Sequence, residues 1–256
     1  MIGIFDSGLG GLAALKRLTE RFPLADTVYL ADTARLPYGA HAPDAILRYA
    51  KEALAFFLAQ GAEAVLFACG TVSALALERL RPKSPIPLYG IIAPTVDAAA
   101  SVYQGGALAV LGTAATVKSR AFPLALERRL ACPPLISVAC PLFVSLAEEG
   151  LTEKGNPIAQ ATAAYYLSPL KEVDLDGIVL GCTHFSLLAP FIHPLFPTVP
   201  LLDCGRLAAE ALPPLPREKG KRRFFVTEGE ARFSEKASYI LGAPVSAERI
   251  SLSDFA

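Results

Sequence analysis

Ala64-Val65-Leu66-Phe67-Ala68-Cys69-Gly70-Thr71-Val72-Ser73-Ala74-Leu75 reads as a buried strand, a small residue and a cysteine, followed by small hydroxylated residues suited to opening a helix. The pattern returns as Gly177-Ile178-Val179-Leu180-Gly181-Cys182-Thr183-His184-Phe185-Ser186-Leu187-Leu188. A second pair fits the same offset of about 105 to 115 residues: Met1-Ile2-Gly3-Ile4-Phe5-Asp6-Ser7-Gly8 is echoed by Leu108-Ala109-Val110-Leu111-Gly112-Thr113-Ala114. Two motif pairs at one offset point to two similar lobes related by a pseudo-twofold axis. Working outward, short apolar runs lie at residues 2–5, 28–31, 64–68, 88–92, 107–111, 135–138, 178–180 and 199–202. They alternate with helical patterns, the signature of an α/β fold with mostly parallel sheets flanked by helices. The clearest helix starts at Asp44, an N-cap candidate after Pro43, and stops at Gly61. Leu47, Ala50, Leu54 and Phe57 mark its apolar face; Arg48, Lys51, Glu52 and Gln60 fall on the other.

A chain of 256 residues, 53% hydrophobic and 19% charged, has enough apolar content for one large domain or two lobes, and disorder is excluded as its main state. Its 24 basic and 24 acidic residues balance, and the densest basic run is Lys219-Gly220-Lys221-Arg222-Arg223. Neither nucleic acid nor a membrane surface is an expected partner. Mean hydropathy is +0.42, yet no window approaches the roughly 18 to 20 apolar residues of a spanning helix. The first residues lack a basic segment and reach Asp6 at once, unlike a signal peptide, so the expected location is cytoplasmic. The five cysteines are odd in number and unclustered, which favours free thiols. Asn occurs only at Asn156 and Met only once, a depletion that fits a thermophilic source or a compositional bias.

In open α/β sheets the ligand crevice lies at the carboxyl ends of the strands. Those ends carry Asp6-Ser7, Asp32-Thr33 with Pro37-Tyr38-Gly39 beyond, Cys69-Gly70-Thr71, Thr113 with Thr116, and Cys182-Thr183-His184. Hydroxyls and helix-opening amides suit a carboxylate, and Lys and Arg are nearly absent. A cysteine at the first turn of a helix is expected to have its thiol lowered towards neutrality. Cys69 and Cys182 share that context in both lobes, so two thiols facing each other across an amino acid are expected to exchange its α-proton from opposite sides. Cys132, Cys140 and Cys204 are expected to pack as small hydrophobes. Asp6 is expected beside Cys69, and His184 beside Cys182, each orienting its thiol.

Other chemistries fit less of the pattern. Gly8-Leu9-Gly10-Gly11-Leu12-Ala13 satisfies a dinucleotide fingerprint with Asp32 downstream, but Asp6 would repel a pyrophosphate. Zinc has one Cys-His pair and no further ligand spacing. Lys118 is the sole candidate for a pyridoxal Schiff base and has no partner for the ring nitrogen. A cysteine hydrolase built on Cys182 and His184 leaves Cys69 unexplained, and a non-catalytic two-lobed binding protein predicts affinity without turnover.

Six ordered stretches closely resemble bacterial glutamate racemases: residues 4–11, 32–39, 67–74, 112–119, 139–150 and 180–185, with Phe224-Phe225-Val226-Thr227 and Phe233 in the tail. The resemblance implies cofactor-independent interconversion of L- and D-glutamate, supplying D-glutamate for peptidoglycan, with no metal. It implies Cys69 as the base for D-glutamate and Cys182 for L-glutamate, assisted by Asp6 and His184, with Glu148 a supporting carboxylate near His184. Ser7, Pro37, Tyr38, Gly39, Gly70, Thr71, Thr113, Thr116 and Thr183, together with Asp6 and His184, would surround the substrate. It also implies a homodimer, and a first lobe of residues 1–95 plus 206–256 around a second of residues 96–205. Aspartate or another amino acid is the alternative substrate. The chain departs at Cys69-Gly70-Thr71, where the family shows Cys-Asn-Thr. The absent side-chain amide removes a hydrogen bond to a charged ligand of about 1.5–3 kcal/mol. Low activity or mere binding is the corresponding alternative, and Gly70→Asn is expected to change the Michaelis constant or turnover. Phe185 stands where the family has Tyr, which removes only a hydroxyl.

Overall fold

The structure, a computed structural model, describes residues 1–255. Among the described residues ten strands form: β1 (Ile2–Asp6), β2 (Thr27–Ala31), β3 (Ala64–Phe67), β4 (Leu88–Gly90), β5 (Ala107–Gly112), β6 (Leu135–Ala139), β7 (Leu175–Leu180), β8 (Leu201–Asp203), β9 (Arg222–Val226) and β10 (Ala247–Arg249). They build a six-stranded sheet in the order β10-β9-β2-β1-β3-β4 and a four-stranded sheet in the order β6-β5-β7-β8. Every strand pair is parallel. The order second-first-third-fourth occurs twice, so β1 corresponds to β5 and β3 to β7. These are the strands whose sequences echo one another.

The helices are α1 (Leu12–Arg21), α2 (Pro43–Ala59), α3 (Gly70–Leu75), α4 (Leu77–Leu80), α5 (Ile92–Val102), α6 (Ala114–Ser119), α7 (Ala121–Arg129), α8 (Pro141–Glu149), α9 (Pro157–Leu167), α10 (Ala189–Ile192), α11 (Cys204–Ala211) and α12 (Glu230–Leu241). Parallel strands need crossover helices, and these cover both faces of each sheet. The inner faces share one continuous core. Ile4 and Leu66 of the larger sheet join Val110 and Val179 of the smaller through Leu15, Val96, Phe122 and Ala208 on α1, α5, α7 and α11. The outer faces are covered separately, by α2 with α3 and α4 on one side and by α8, α9 and α10 on the other. Among the described residues no helix is long and apolar enough to cross a membrane.

Four local expectations change. The helix after Pro43 begins at Pro43 itself with Ala42 as N-cap, because proline, lacking an amide hydrogen, fits the first helical position; Asp44 lies in the first turn. Glu52 is buried rather than solvated, because the Arg35 guanidinium bonds its carboxylate. The apolar run 88–92 leaves its strand at Gly90, and Ile92 already opens α5. Cys140 and Cys204 are buried, but Cys132 is exposed, with a φ of 47° in the turn before Pro133.

Candidate active site

Parallel pairing decides which side chains meet. Phe5 lies opposite Phe67, so the residues after β1 and β3 emerge together and bring Ser7 beside Cys69. Leu111 lies opposite Leu180, which does the same for Thr113 and Cys182 in the other lobe. The two sets face one cavity of about 240 Å³. Its wall includes Ser7, Pro37, Tyr38, Gly39, Cys69, Gly70, Thr71, Thr113, Cys182, Thr183 and His184, all expected from sequence. Cys69 and Cys182 are only 4% and 5% exposed.

Asp6, Thr116 and Glu148 stand behind this wall. The sequence reading missed Leu36, Ala40 and Ala114, and it missed Pro141, Leu142, Val144 and Ser145 at the head of α8. The last four follow β6, so the rule that ligands gather at carboxyl ends would have found them had that strand end been read as well.

The two thiols have different surroundings. The Cys69 thiol donates to Ser7 Oγ at 3.9 Å. Burial, reinforced by the nearby Asp6 carboxylate, pushes it up to about 12. This reverses the expected lowering. Desolvation outweighs the support that the Val72 amide and the Ser7 hydroxyl would give a thiolate, and α3 is a helix of only six residues. Cys69 is therefore a protonated thiol at neutral pH.

Cys182 Sγ lies 3.7 Å from His184 Nδ1, and His184 Nε2 lies 2.5 Å from Glu148 Oε1. Burial alone would depress the imidazole. Cys182 and Glu148 overcome it and raise His184 well above the usual histidine range. Burial would likewise raise Glu148, but the hydrogen bond and charge of His184, with the Leu9 amide at 2.9 Å, hold it below the ordinary carboxylate range.

Asp6 makes its hydrogen bonds elsewhere than to Cys69. Its Oδ1 accepts the Gly8 amide at 2.8 Å, and its Oδ2 accepts the Thr183 hydroxyl at 2.9 Å, across the cleft. Burial raises its carboxyl. The side chain that reaches Cys69 is Ser7.

Hydroxyls complete the lining. Thr71 and Thr113 share a hydrogen bond of 3.2 Å between the lobes, and Thr116 bonds Thr113 at 3.0 Å from behind. The Tyr38 hydroxyl donates to Asp32, which also accepts Arg35 Nε at 2.5 Å and Thr227 Oγ1 at 2.9 Å, fixing the 32–39 loop. Among the described residues no lysine or arginine lines the cavity. An anion there meets hydroxyls, amides and the His184 ring.

The glycine-rich turn after β1 is already engaged: the Leu9 amide binds Glu148, and a Cβ at Gly8 would lie 2.1 Å from Glu148 Oε1. A carboxylate of the chain holds the place a pyrophosphate would need. Lys118 is exposed and outside the cavity wall. Among the described residues no three His, Cys, Asp or Glu side chains gather as a metal site.

A family model described as Asp/Glu/Hydantoin racemase matches residues 6–212. The chain belongs to this family. Among its relatives, the glutamate racemase of Geobacter metallireducens is 39% identical over 251 residues, spanning 94% of this chain and 92% of the relative. The glutamate racemase structure from Thermus thermophilus, in complex with beta-chloro-D-alanine, is 35% identical with a TM-score of 0.85 and covers 99% of this chain and 97% of its own. That from Francisella tularensis, in complex with D-glutamate, is 29% identical with a TM-score of 0.89, covering 99% and 98%. The family's two-lobed α/β fold is the fold of this chain.

Proposed function

We propose that the protein interconverts L- and D-glutamate without a cofactor, using Cys69 and Cys182 as paired acid and base, and so supplies D-glutamate for peptidoglycan. The observation that carries this reading is the pair of buried thiols, issuing from equivalent strand ends of two lobes into one cavity. In the L-to-D direction the Cys182 thiolate takes the α-proton, and the Cys69 thiol gives its own proton to the opposite face of the planar carbanion. One proton is removed and one returned, and the exchanged protonation states serve the reverse direction. The ligand-free electrostatics suit the L-to-D start: Cys69 is held as a thiol, and Cys182 faces an imidazole whose cationic form is favoured. Ser7 orients Cys69. His184, held by Glu148, supports the negative charge on Cys182. The substrate carboxylates are held by the Thr71, Thr113 and Thr183 hydroxyls and by backbone amides along the 37–39 and 70–71 stretches.

Incubation in D₂O with each enantiomer tests the proposal. Optical rotation is expected to decay to zero from either side, with one solvent deuterium at Cα of the product. Absence of both removes the catalytic reading, and faster turnover of aspartate in a parallel reaction replaces the substrate. We place the protein in the cytoplasm as a homodimer, with a first lobe of residues 1–95 plus 206–256 around a second of residues 96–205. A monomer mass in sedimentation equilibrium would remove the dimer.

A further inference from the structure

The contact nearest both thiols is made by their glycine neighbours. A Cβ built on Gly70 would lie 2.4 Å from the carbonyl oxygen of Gly181, far inside the 3.4–4 Å of ordinary contact. Gly70 follows Cys69, and Gly181 precedes Cys182. The first turn of α3 thus rests on the end of β7 where each lobe delivers its sulfur.

Neither side has slack. Gly181 donates its amide to Leu111 O at 2.8 Å, and a Cβ built on it would lie 2.8 Å from that same oxygen and 2.9 Å from the Phe122 ring. On the other side, Ser73 ties α3 down through its amide to Cys69 O at 2.9 Å and its hydroxyl to Phe67 O at 3.1 Å. Gly8, Gly10 and Gly39 also abut the second lobe, but their nearest neighbours are the side chains of Glu148, Thr183 and Thr113. Gly70 alone of the four has a backbone carbonyl as its nearest neighbour.

We propose that Gly70 sets the separation of the two thiols, its missing Cβ letting the lobes seat directly on one another beside both sulfurs. This rests on the two-thiol reading of the site. At the lobe separation of this chain, a side chain at position 70 pushes the lobes apart by roughly 1 Å at the point where two sulfurs have to straddle one carbon, and misplacement on that scale costs about 100-fold in rate. Gly70 therefore acts by geometry, and a side-chain amide restored there is obstructive.

The two roles predict opposite signs. If the site merely lacks an amide, Gly70→Asn raises kcat/KM and Gly70→Ala changes little. If Gly70 is the seat, both variants lose at least tenfold in kcat with L- and with D-glutamate, and Cys182 becomes several-fold faster to alkylate with iodoacetamide. Position 70 opens a helix with φ outside the left-handed region, so alanine suits the backbone, and thermal unfolding checks that the variants are folded. A measurement on the unaltered protein backs the variants: ligand-free Cys182 is expected to alkylate at least tenfold more slowly than exposed Cys132. Either variant turning over like the wild type, or Cys182 matching Cys132, overturns the proposal. If the unaltered protein racemises neither glutamate nor aspartate, the racemase reading fails separately, and the alkylation contrast still decides whether Gly70 seats the lobes.

Discussion

The Cys182, His184 and Glu148 side chains form a line along which charge is balanced by neighbours, since a histidine that is 2% exposed is largely shielded from bulk solvent. The imidazole is raised and the carboxylate lowered, each by the other's charge among its causes. The pair is therefore ionised from the depressed Glu148 value up to the raised His184 value. As pH climbs through the latter, the imidazolium is lost and with it the support for a Cys182 thiolate. Glu148→Gln removes the partner, so His184 must titrate at lower pH. The expected result is a kcat for L-glutamate reduced about 100-fold, the scale of a positioned acid–base group, with the alkaline limb of its pH profile displaced downward. An unmoved limb would separate Glu148 from the relay. His184 was legible in the sequence because it follows Cys182 by two residues. Glu148 was not legible from pattern, lying 36 residues away on α8, and only family resemblance reached it. Asp6 was placed in the correct loop, but a strand end says nothing about where its side chain points, and that carboxylate turned to Thr183.

Elements were legible where burial dictates composition. The apolar runs anticipated β1 to β8, but β9 starts with exposed Arg222 and Arg223, and β10 is Ala247-Glu248-Arg249 at the sheet edge. Such strands exist because Leu30 and Ala31 of β2 offer a free ladder to Phe225 and Val226, and no periodicity announces that. Capping was not legible: the expected cap Asp44 lies inside the first turn of α2, and the side-chain caps at Asn156 and Asp203 were not anticipated. The single asparagine, Asn156, accepts the Ile158 and Ala159 amides at 3.0 and 3.1 Å and so closes the start of α9. In a chain otherwise emptied of this residue, that position keeps it for a structural reason. Asn156→Ala is expected to lower unfolding stability by about 1 kcal/mol while leaving kcat unchanged, as followed by denaturant titration beside the racemase assay. A stability equal to the wild type's would show that water caps the helix equally well.

At the scale of the molecule, the repeated offset disclosed two lobes, whereas their mode of meeting was hidden because its contacts join residues far apart in sequence. Burial of thiols, Cys204 in the shared core and Cys69 and Cys140 in the two outer ones, has a consequence for the whole fold. Burial pushes Cys69 and Cys140 up to about 12 and raises Cys204 well above its ordinary value. A raised group keeps its proton in the folded state after the unfolded chain has released it, so its contribution is complete below the unfolded value and is lost as pH rises towards the folded one. Above the ordinary thiol value of 9.0, each buried thiol removes about 1.4 kcal/mol of stability per pH unit. Tyr29 and Tyr38, also raised by burial, add to the loss only above their ordinary value of 10.0. Urea unfolding is therefore expected to show stability falling between pH 9 and 10, with a slope shallower by about 2.8 kcal/mol per pH unit in a Cys140→Ala/Cys204→Ala variant, where one of the three thiols remains. Because these groups are buried, added salt should leave the slope unchanged. A flat profile in the wild type would mean that the thiols reach water in the folded protein, and the closed cleft around Cys69 would then have to be abandoned as well.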